Sequence, residues 1–262
     1  MVSMEPDLSR IAAVDRFYSG LIPSMEPNAD LGGKLLYAGN LDAASSGLVI
    51  AANIAGAASL AACTEKTMQR QAIREGMVDF LVTTLDEALR ILKNQVRKRE
   101  TVAVCVAQPA EQLEREMVEI GVLPNLLPSG LSDASAHSLF MLQGAQQVVP
   151  VAVSESQILL AWRVAAEPAV WLPKLDSIAR ECIDPAAGSA LRWLRLAPLY
   201  LGRSAQNLRL LRCDRESVPR FIEQVREQLA QGEIAVPVEI QTLSGYQSET
   251  YRFSPSSAKV AE

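Results

Sequence analysis

Between residues 32 and 127, short apolar runs of strand length alternate with longer runs of helical periodicity. Strands separated by single helices at this spacing must pair in parallel through right-handed crossovers. The first such run, residues 34–38, is followed by a turn at 39–46 and by a helix expected over 47–62, whose small residues allow close packing on a sheet. A second helical stretch at 65–75 ends at Gly76, a residue suited to the left-handed position after a helix. A buried strand is expected at 77–82. Thr84-Leu85-Asp86-Glu87 then has the form of a capping box. Leu85, Leu89, Leu92 and Val96 share one helical face, and Arg97-Lys98-Arg99 suits a helix C-terminus. A strand at 101–107, a helix at 109–120 with Leu113, Met117 and Ile120 inward, a strand at 123–127 and a helix at 135–146 complete the alternation. The fold class predicted is α/β: a doubly wound, Rossmann-like parallel sheet in three layers.

The flanks follow a different rhythm. Residues 8–21 place Ile11, Val14, Phe17 and Leu21 at helical spacing, and 23–31 reads as a linker. Beyond Val148 the pattern predicts strands at 158–164, 191–201, 207–213 and 235–243 and helices at 168–183 and 217–231, with a break at 185–188. This order, βαββαβ, is that of a smaller α+β ferredoxin-like domain, with Pro237 on an edge strand where a missing amide does little harm. The predicted division is a helix and linker at 1–30, the α/β domain at 31–150, the α+β domain at 151–254 and a tail at 255–262.

Charge and cysteine content narrow the function classes. Of the 262 residues, 49% are hydrophobic and 21% charged, with a net charge of −5. Residues 1–150 carry 12 Lys+Arg against 17 Asp+Glu, and the remainder 13 against 13. Neither part is basic, which disfavours capture of nucleic acid. Cys63, Cys105, Cys182 and Cys213 are scattered, and no C-x-x-C pair occurs, so neither a disulfide framework nor a zinc site is expected. The amino-terminal residues lack a basic region followed by an apolar run, so a cytoplasmic location is the expectation. The uncharged stretch between Asp42 and Glu65 is rich in Ala, Gly and Ser rather than Leu, Ile or Phe, which favours a buried helix over a membrane span.

The corner after the first strand is the best candidate ligand site. Gly39, Asn40, Ser45, Ser46 and Gly47 are the candidate cofactor-binding residues: glycines let backbone amides approach a phosphate, serines offer hydroxyls, and a helix N-terminus offers amides. The competing reading is an ordinary βα turn in a domain that has stopped binding a nucleotide. His137, the single histidine, has no nameable catalytic partner, and Cys105 lies mid-strand. Ser45-Ser46-Gly47 is not a nucleophile elbow. Asp86 and Glu87 are explained by the helix N-terminus. No catalytic residue and no metal ligand is assigned. Arg192, Arg195, Arg203, Arg209, Arg212 and Arg215, with Trp193 and Tyr200, read as a solvated sheet face or a subunit interface.

The ordered words Gly33-Lys34-Leu35, Ala38-Gly39, Ala55-Gly56-Ala57, Gly76, Asp79, Leu85-Asp86-Glu87-Ala88-Leu89 and Glu116 to Pro124 resemble the central NAD-binding domain of urocanase. Ser135-Ala136-His137 is a looser echo. The resemblance covers residues 31–127 and implies NAD as cofactor, used by that family as an electrophile toward urocanate. It also implies a diphosphate cradle rich in glycine, whereas this chain reads Ala38-Gly39-Asn40-Leu41-Asp42-Ala43-Ala44-Ser45-Ser46-Gly47, with two glycines left and a carboxylate added. Cys63 stands where the family carries a ribose-binding acid, and Gln108-Pro109 where it carries Gly-Asn. Nothing before residue 30 or after Val148 resembles the family's catalytic segments. Three expectations follow: a urocanase-like protein binding NAD or another nucleotide without hydratase activity of its own; a non-catalytic assembly or regulatory protein that has lost the ligand; or a hydratase completed by a partner chain. A homo-oligomer is expected, with neither nucleic acid nor membrane as partner.

Overall fold

The computed structural model describes residues 5–25, 30–184, 187–244 and 247–255. The chain divides into two compact units, Ala13–Val151 and a second formed by Met1–Ala12 with Ala152–Glu262. Helix α1 (Pro6–Leu21) is divided between them after Ala12. The expected tail beyond Pro255, residues 26–29 of the linker and residues 185–186 of the break lie outside the described residues.

The unit Ala13–Val151 holds β1 (Leu35–Asn40), α2 (Ser46–Ala55), β2 (Ala58–Ala62), α3 (Lys66–Arg74), β3 (Phe80–Val82), α4 (Leu85–Lys98), β4 (Val102–Val106), α5 (Ala110–Glu119), β5 (Leu126–Leu127), α6 (Ala134–Leu142) and β6 (Gln146–Gln147). The six strands form one sheet in the order β3-β4-β2-β1-β5-β6, and every pairing is parallel. Side chains alternate across a strand, so each central strand feeds two cores. Tyr37, Leu60, Val104 and Leu127 pack with Leu89 and Leu92 of α4, Leu113 and Met117 of α5 and Phe140 of α6. Helix α2, buried along nearly its whole length, packs on the other face. This is the doubly wound, Rossmann-like architecture.

Several boundaries differ from the sequence expectation. The stretch 47–62 is not one helix. Gly56 takes φ 94°, its amide donates to the carbonyls of Ala52 and Asn53, and the chain leaves as strand β2. All five β2 residues are buried, so an Ala-rich central strand carries the same composition as the small-residue helix before it. Met77 and Val78 are buried but lie before β3, whose Phe80 and Leu81 are exposed because β3 is the sheet edge. Helix α6 stops at Leu142, and the remainder supplies strand β6. The capping box forms as read: Glu87 N donates to Thr84 Oγ1 at 3.3 Å, and the Thr84 amide donates to Glu87 Oε2 at 3.3 Å.

The second unit contains β7 (Gln157–Val164), α7 (Pro168–Cys182), α8 (Gly188–Tyr200), β8 (Leu208–Asp214), α9 (Ser217–Ala230), β9 (Val238–Ser244) and β10 (Gln247–Phe253). Its four-stranded sheet is antiparallel throughout, in the order β10-β9-β7-β8. The expected βαββαβ order is therefore corrected to βααβαββ. Residues 191–200 are helical, because Trp193, Leu194, Ala197 and the capping Leu201 bury one face at helical spacing while Leu199 is 72% exposed. Pro237 precedes β9 rather than lying in it, and β9 is internal, flanked by β10 and β7. The core centres on Trp162, whose ring stands 5.1 Å from that of Phe221.

Candidate functional site

A parallel sheet whose strand order reverses leaves a crevice beyond the strand C-termini at the reversal. Here β2, β4 and β3 extend the sheet on one side of β1, and the chain then returns to place β5 on the other side. Two corners face this switch point: residues 41–45 between β1 and α2, and 128–133 between β5 and α6. They approach closely, since a Cβ placed at Gly39 would stand 3.6 Å from Leu131 Cδ2. Gly39 takes φ 72° where the β1–β2 register shifts, a conformation that tolerates side chains poorly.

All five candidate residues, Gly39, Asn40, Ser45, Ser46 and Gly47, lie at the first corner, and the two serine hydroxyls turn inward on the chain itself. Asp42 Oδ1 accepts the amides of Ala44 at 2.8 Å and Ser45 at 2.9 Å. Ser45 Oγ donates to the Asn40 carbonyl at 2.7 Å and accepts the Asp42 amide at 2.9 Å. Ser46 Oγ donates to the Ala43 carbonyl at 2.9 Å, and the Ser46 amide donates to the Asp42 carbonyl at 3.0 Å. Gly47 is small for a packing reason: a Cβ there would stand 3.3 Å from Phe17 Cδ2. The carboxylate thus occupies amides that a phosphate at this helix start would use.

The second corner is capped in the same way. Asp133 Oδ1 accepts the amides of Ser135 at 2.8 Å and Ala136 at 3.2 Å, closing the start of α6. Glu114, fully buried on α5, fastens the corner from below. It accepts the amides of Asp133 at 2.5 Å and Ser132 at 3.3 Å and the Tyr37 hydroxyl at 3.1 Å. Burial raises the Glu114 carboxyl above its ordinary range, with the three donors pulling it back. Burial and the neighbouring Glu114 also raise Tyr37, which keeps its phenol a donor. Sequence reasoning missed Glu114, Tyr37 and Asp133. The legible signal was Asp42 followed by Ser45, a pattern for side chain–backbone turns.

The remaining candidates lie apart from catalytic chemistry. His137 sits in the first turn of α6, half-buried, and its Nε2 is shielded from solvent with no hydrogen-bond partner among the described residues. Cys63 is buried at the end of β2, its thiol donating to the Glu65 carbonyl at 3.6 Å. Burial raises its pKa, and burial with the adjacent Cys63 pushes Cys105 up to about 12, so neither favours the thiolate. Among the described residues, no group of three or more His, Cys, Asp and Glu could hold a metal ion, and no helix is long and apolar enough to cross a membrane. The arginines read as a sheet face are divided: Arg192 and Arg195 are on α8, and Arg209 pairs with Asp176 at 3.1 Å.

A family model described as the urocanase Rossmann-like domain matches residues 22–155, just over half of the 262 residues. The chain belongs to the urocanase family. In this member the β1–α2 corner, where the resemblance places a diphosphate cradle, is closed by Asp42. As built, it does not fit a diphosphate: the Ala44 and Ser45 amides are taken, and a second negative group would meet the Asp42 carboxylate.

Proposed function

We propose that this chain is a non-catalytic member of the urocanase family, an assembly or regulatory protein that keeps the Rossmann-like domain without seating a dinucleotide at the β1–α2 corner. The observation that carries this reading is the Asp42 carboxylate on the amides of Ala44 and Ser45. An internal carboxylate there satisfies the helix start as an anion would, so the loop holds its shape without a ligand. A homo-oligomer remains the expected form of such a protein. The test is calorimetric titration of the full chain with NAD+ and NADH, with thermal melting in parallel. No heat and an unchanged Tm are expected at ligand concentrations up to about 1 mM. Saturable binding below that concentration would overturn the reading.

A second reading has its own support. Asn40 and residues 42–44 are exposed at the switch point, where doubly wound sheets bind nucleotides. In that reading Asp42 turns outward, and Gly39, Asn40, Ser45, Ser46 and Gly47 contact NAD or another nucleotide. Asp42→Gly separates the two. If the carboxylate is the obstacle, the variant gains affinity for NAD+ that the wild type lacks. A hydratase completed by a partner chain ranks below both, since nothing before residue 30 or after Val148 resembles the family's catalytic segments.

A further inference from the structure

We infer that the open edge of the parallel sheet docks an extended, acidic segment of a partner protein, paired along β3 beneath the cationic face of α3. The edge is unusual in three respects. Strand β3 has β4 on one side and, among the described residues, no strand on the other, and it exposes Phe80 at 45% and Leu81 at 41%. Between β3 and α3 lies a groove of about 530 Å³ lined by Lys66, Gln69, Arg70, Ile73, Arg74 and Leu81. Ile73 is itself 43% exposed. Among the described residues, the side chains of Lys66, Arg70 and Arg74 take part in no hydrogen bond or ion pair. The nearest acids in sequence are occupied: Glu65 accepts from the Thr67 hydroxyl and Glu75 from Gln71 Nε2. In a chain of net charge −5, three unpaired cations beside exposed apolar side chains mark a surface shaped for something else.

Spacing selects the occupant. Residues four apart on a helix are separated by about 6 Å along its axis, and they share a face. Alternate residues of a strand are separated by about 6.7 Å, also on one face. A strand added beside β3 with carboxylates at alternate positions would set them along the row of Lys66, Arg70 and Arg74, their stems over Ile73 and Leu81. Its intervening residues would turn to the Phe80 side. Main-chain hydrogen bonds to the free edge supply affinity, and the charge row supplies selectivity. A second copy of this chain is disfavoured at this edge. Antiparallel β3–β3 pairing about a two-fold axis normal to the sheet would set two cationic α3 rows side by side.

The test uses the full chain and a fluorescein-labelled peptide, Thr-Glu-Val-Glu-Thr-Glu-Val-Glu-Thr, followed by anisotropy at physiological salt. Saturable binding is expected at or below about 100 µM, with hydrogen-exchange protection gained at residues 80–82. Arg70→Glu, an exposed substitution, should weaken binding at least about fivefold, because it replaces attraction by repulsion at the centre of the row. Leu81→Ser should weaken it independently, and circular dichroism establishes that both variants fold. A peptide of identical composition with its glutamates in one block should bind more weakly. The inference is overturned if the alternating peptide fails to bind at 1 mM, if Arg70→Glu leaves its affinity unchanged, or if protection appears elsewhere. It is equally overturned if the blocked peptide or a thymidine oligonucleotide of equal charge binds as tightly, which would mark a general polyanion patch.

Discussion

Replacing Tyr37 by Phe removes one oxygen atom from the centre of the Rossmann-like unit and tests how the switch-point corner is held. Tyr37 is fully buried, and its hydroxyl lies 3.1 Å from Glu114 Oε1, with the Ala110 carbonyl 3.5 Å away. A hydrogen bond to a charged acceptor contributes about 1.5–3 kcal/mol and one to a neutral acceptor about 0.5–1.5 kcal/mol. Burial raises the Glu114 carboxyl above its ordinary 4.5, so the folded state holds this proton to higher pH than the unfolded chain. Glu114 therefore withdraws stability as pH rises from about 4.5 through its folded value. Removing Tyr37 takes away a donor that favours the carboxylate and steepens that loss. The expected cost is about 2 kcal/mol at pH 8 and about 1 kcal/mol near pH 4. All three tryptophans lie between residues 162 and 193, so their fluorescence reports the second unit. The Rossmann-like unit is followed by far-ultraviolet circular dichroism in urea, after the tryptophan transition is assigned. A loss below about 0.5 kcal/mol at both pH values, or a loss independent of pH, would refute this account of the corner.

Gly20→Ala should destabilise the Rossmann-like unit by about 3 kcal/mol, since its Cβ would stand 2.1 Å from the Val149 carbonyl oxygen, and a thermal melt reads the loss. Thr84→Ala removes the capping-box hydroxyl from α4 and should lower urea stability by about 1 kcal/mol. Arg209→Met leaves Asp176 with Trp162 Nε1 as its hydrogen-bond donor and should destabilise the second unit by about 2–4 kcal/mol, read by tryptophan fluorescence. Burial raises Asp176 and Arg209 opposes that rise, so the variant should lose further stability as pH increases above the ordinary aspartate value of 3.8.

The parallel sheet was legible because strand and helix periods differ and because caps mark boundaries. Thr84 with Glu87, and Gly76, stand where they were read. Strand β2 was missed because its Ala-Ser-Leu-Ala-Ala carries no β-branched residue, and only its burial between β1 and β4 makes it a strand. Helix α8 was mistaken for a strand because arginines interleave the apolar residues of Leu191-Arg192-Trp193-Leu194-Arg195-Leu196, although alternation fails at Trp193-Leu194. Its i, i+1, i+4 burial becomes visible only against β8, where Trp193 Nε1 donates to the Leu210 carbonyl. At the candidate site, residue types located the corner but not the direction of its hydrogen bonds. That Asp42 reaches Ala44 and Ser45 depends on the turn geometry, and that Glu114 reaches Asp133 depends on two elements 19 residues apart meeting across a helix start.

The carboxylate at the first corner is joined by covalent bonds to the amides it satisfies, two and three residues along the chain. A diffusible anion is diluted when a cell runs short of it; a tethered one is always at the same effective concentration. The corner is therefore completed during folding itself, and its shape is inherited with the polypeptide rather than borrowed from metabolism.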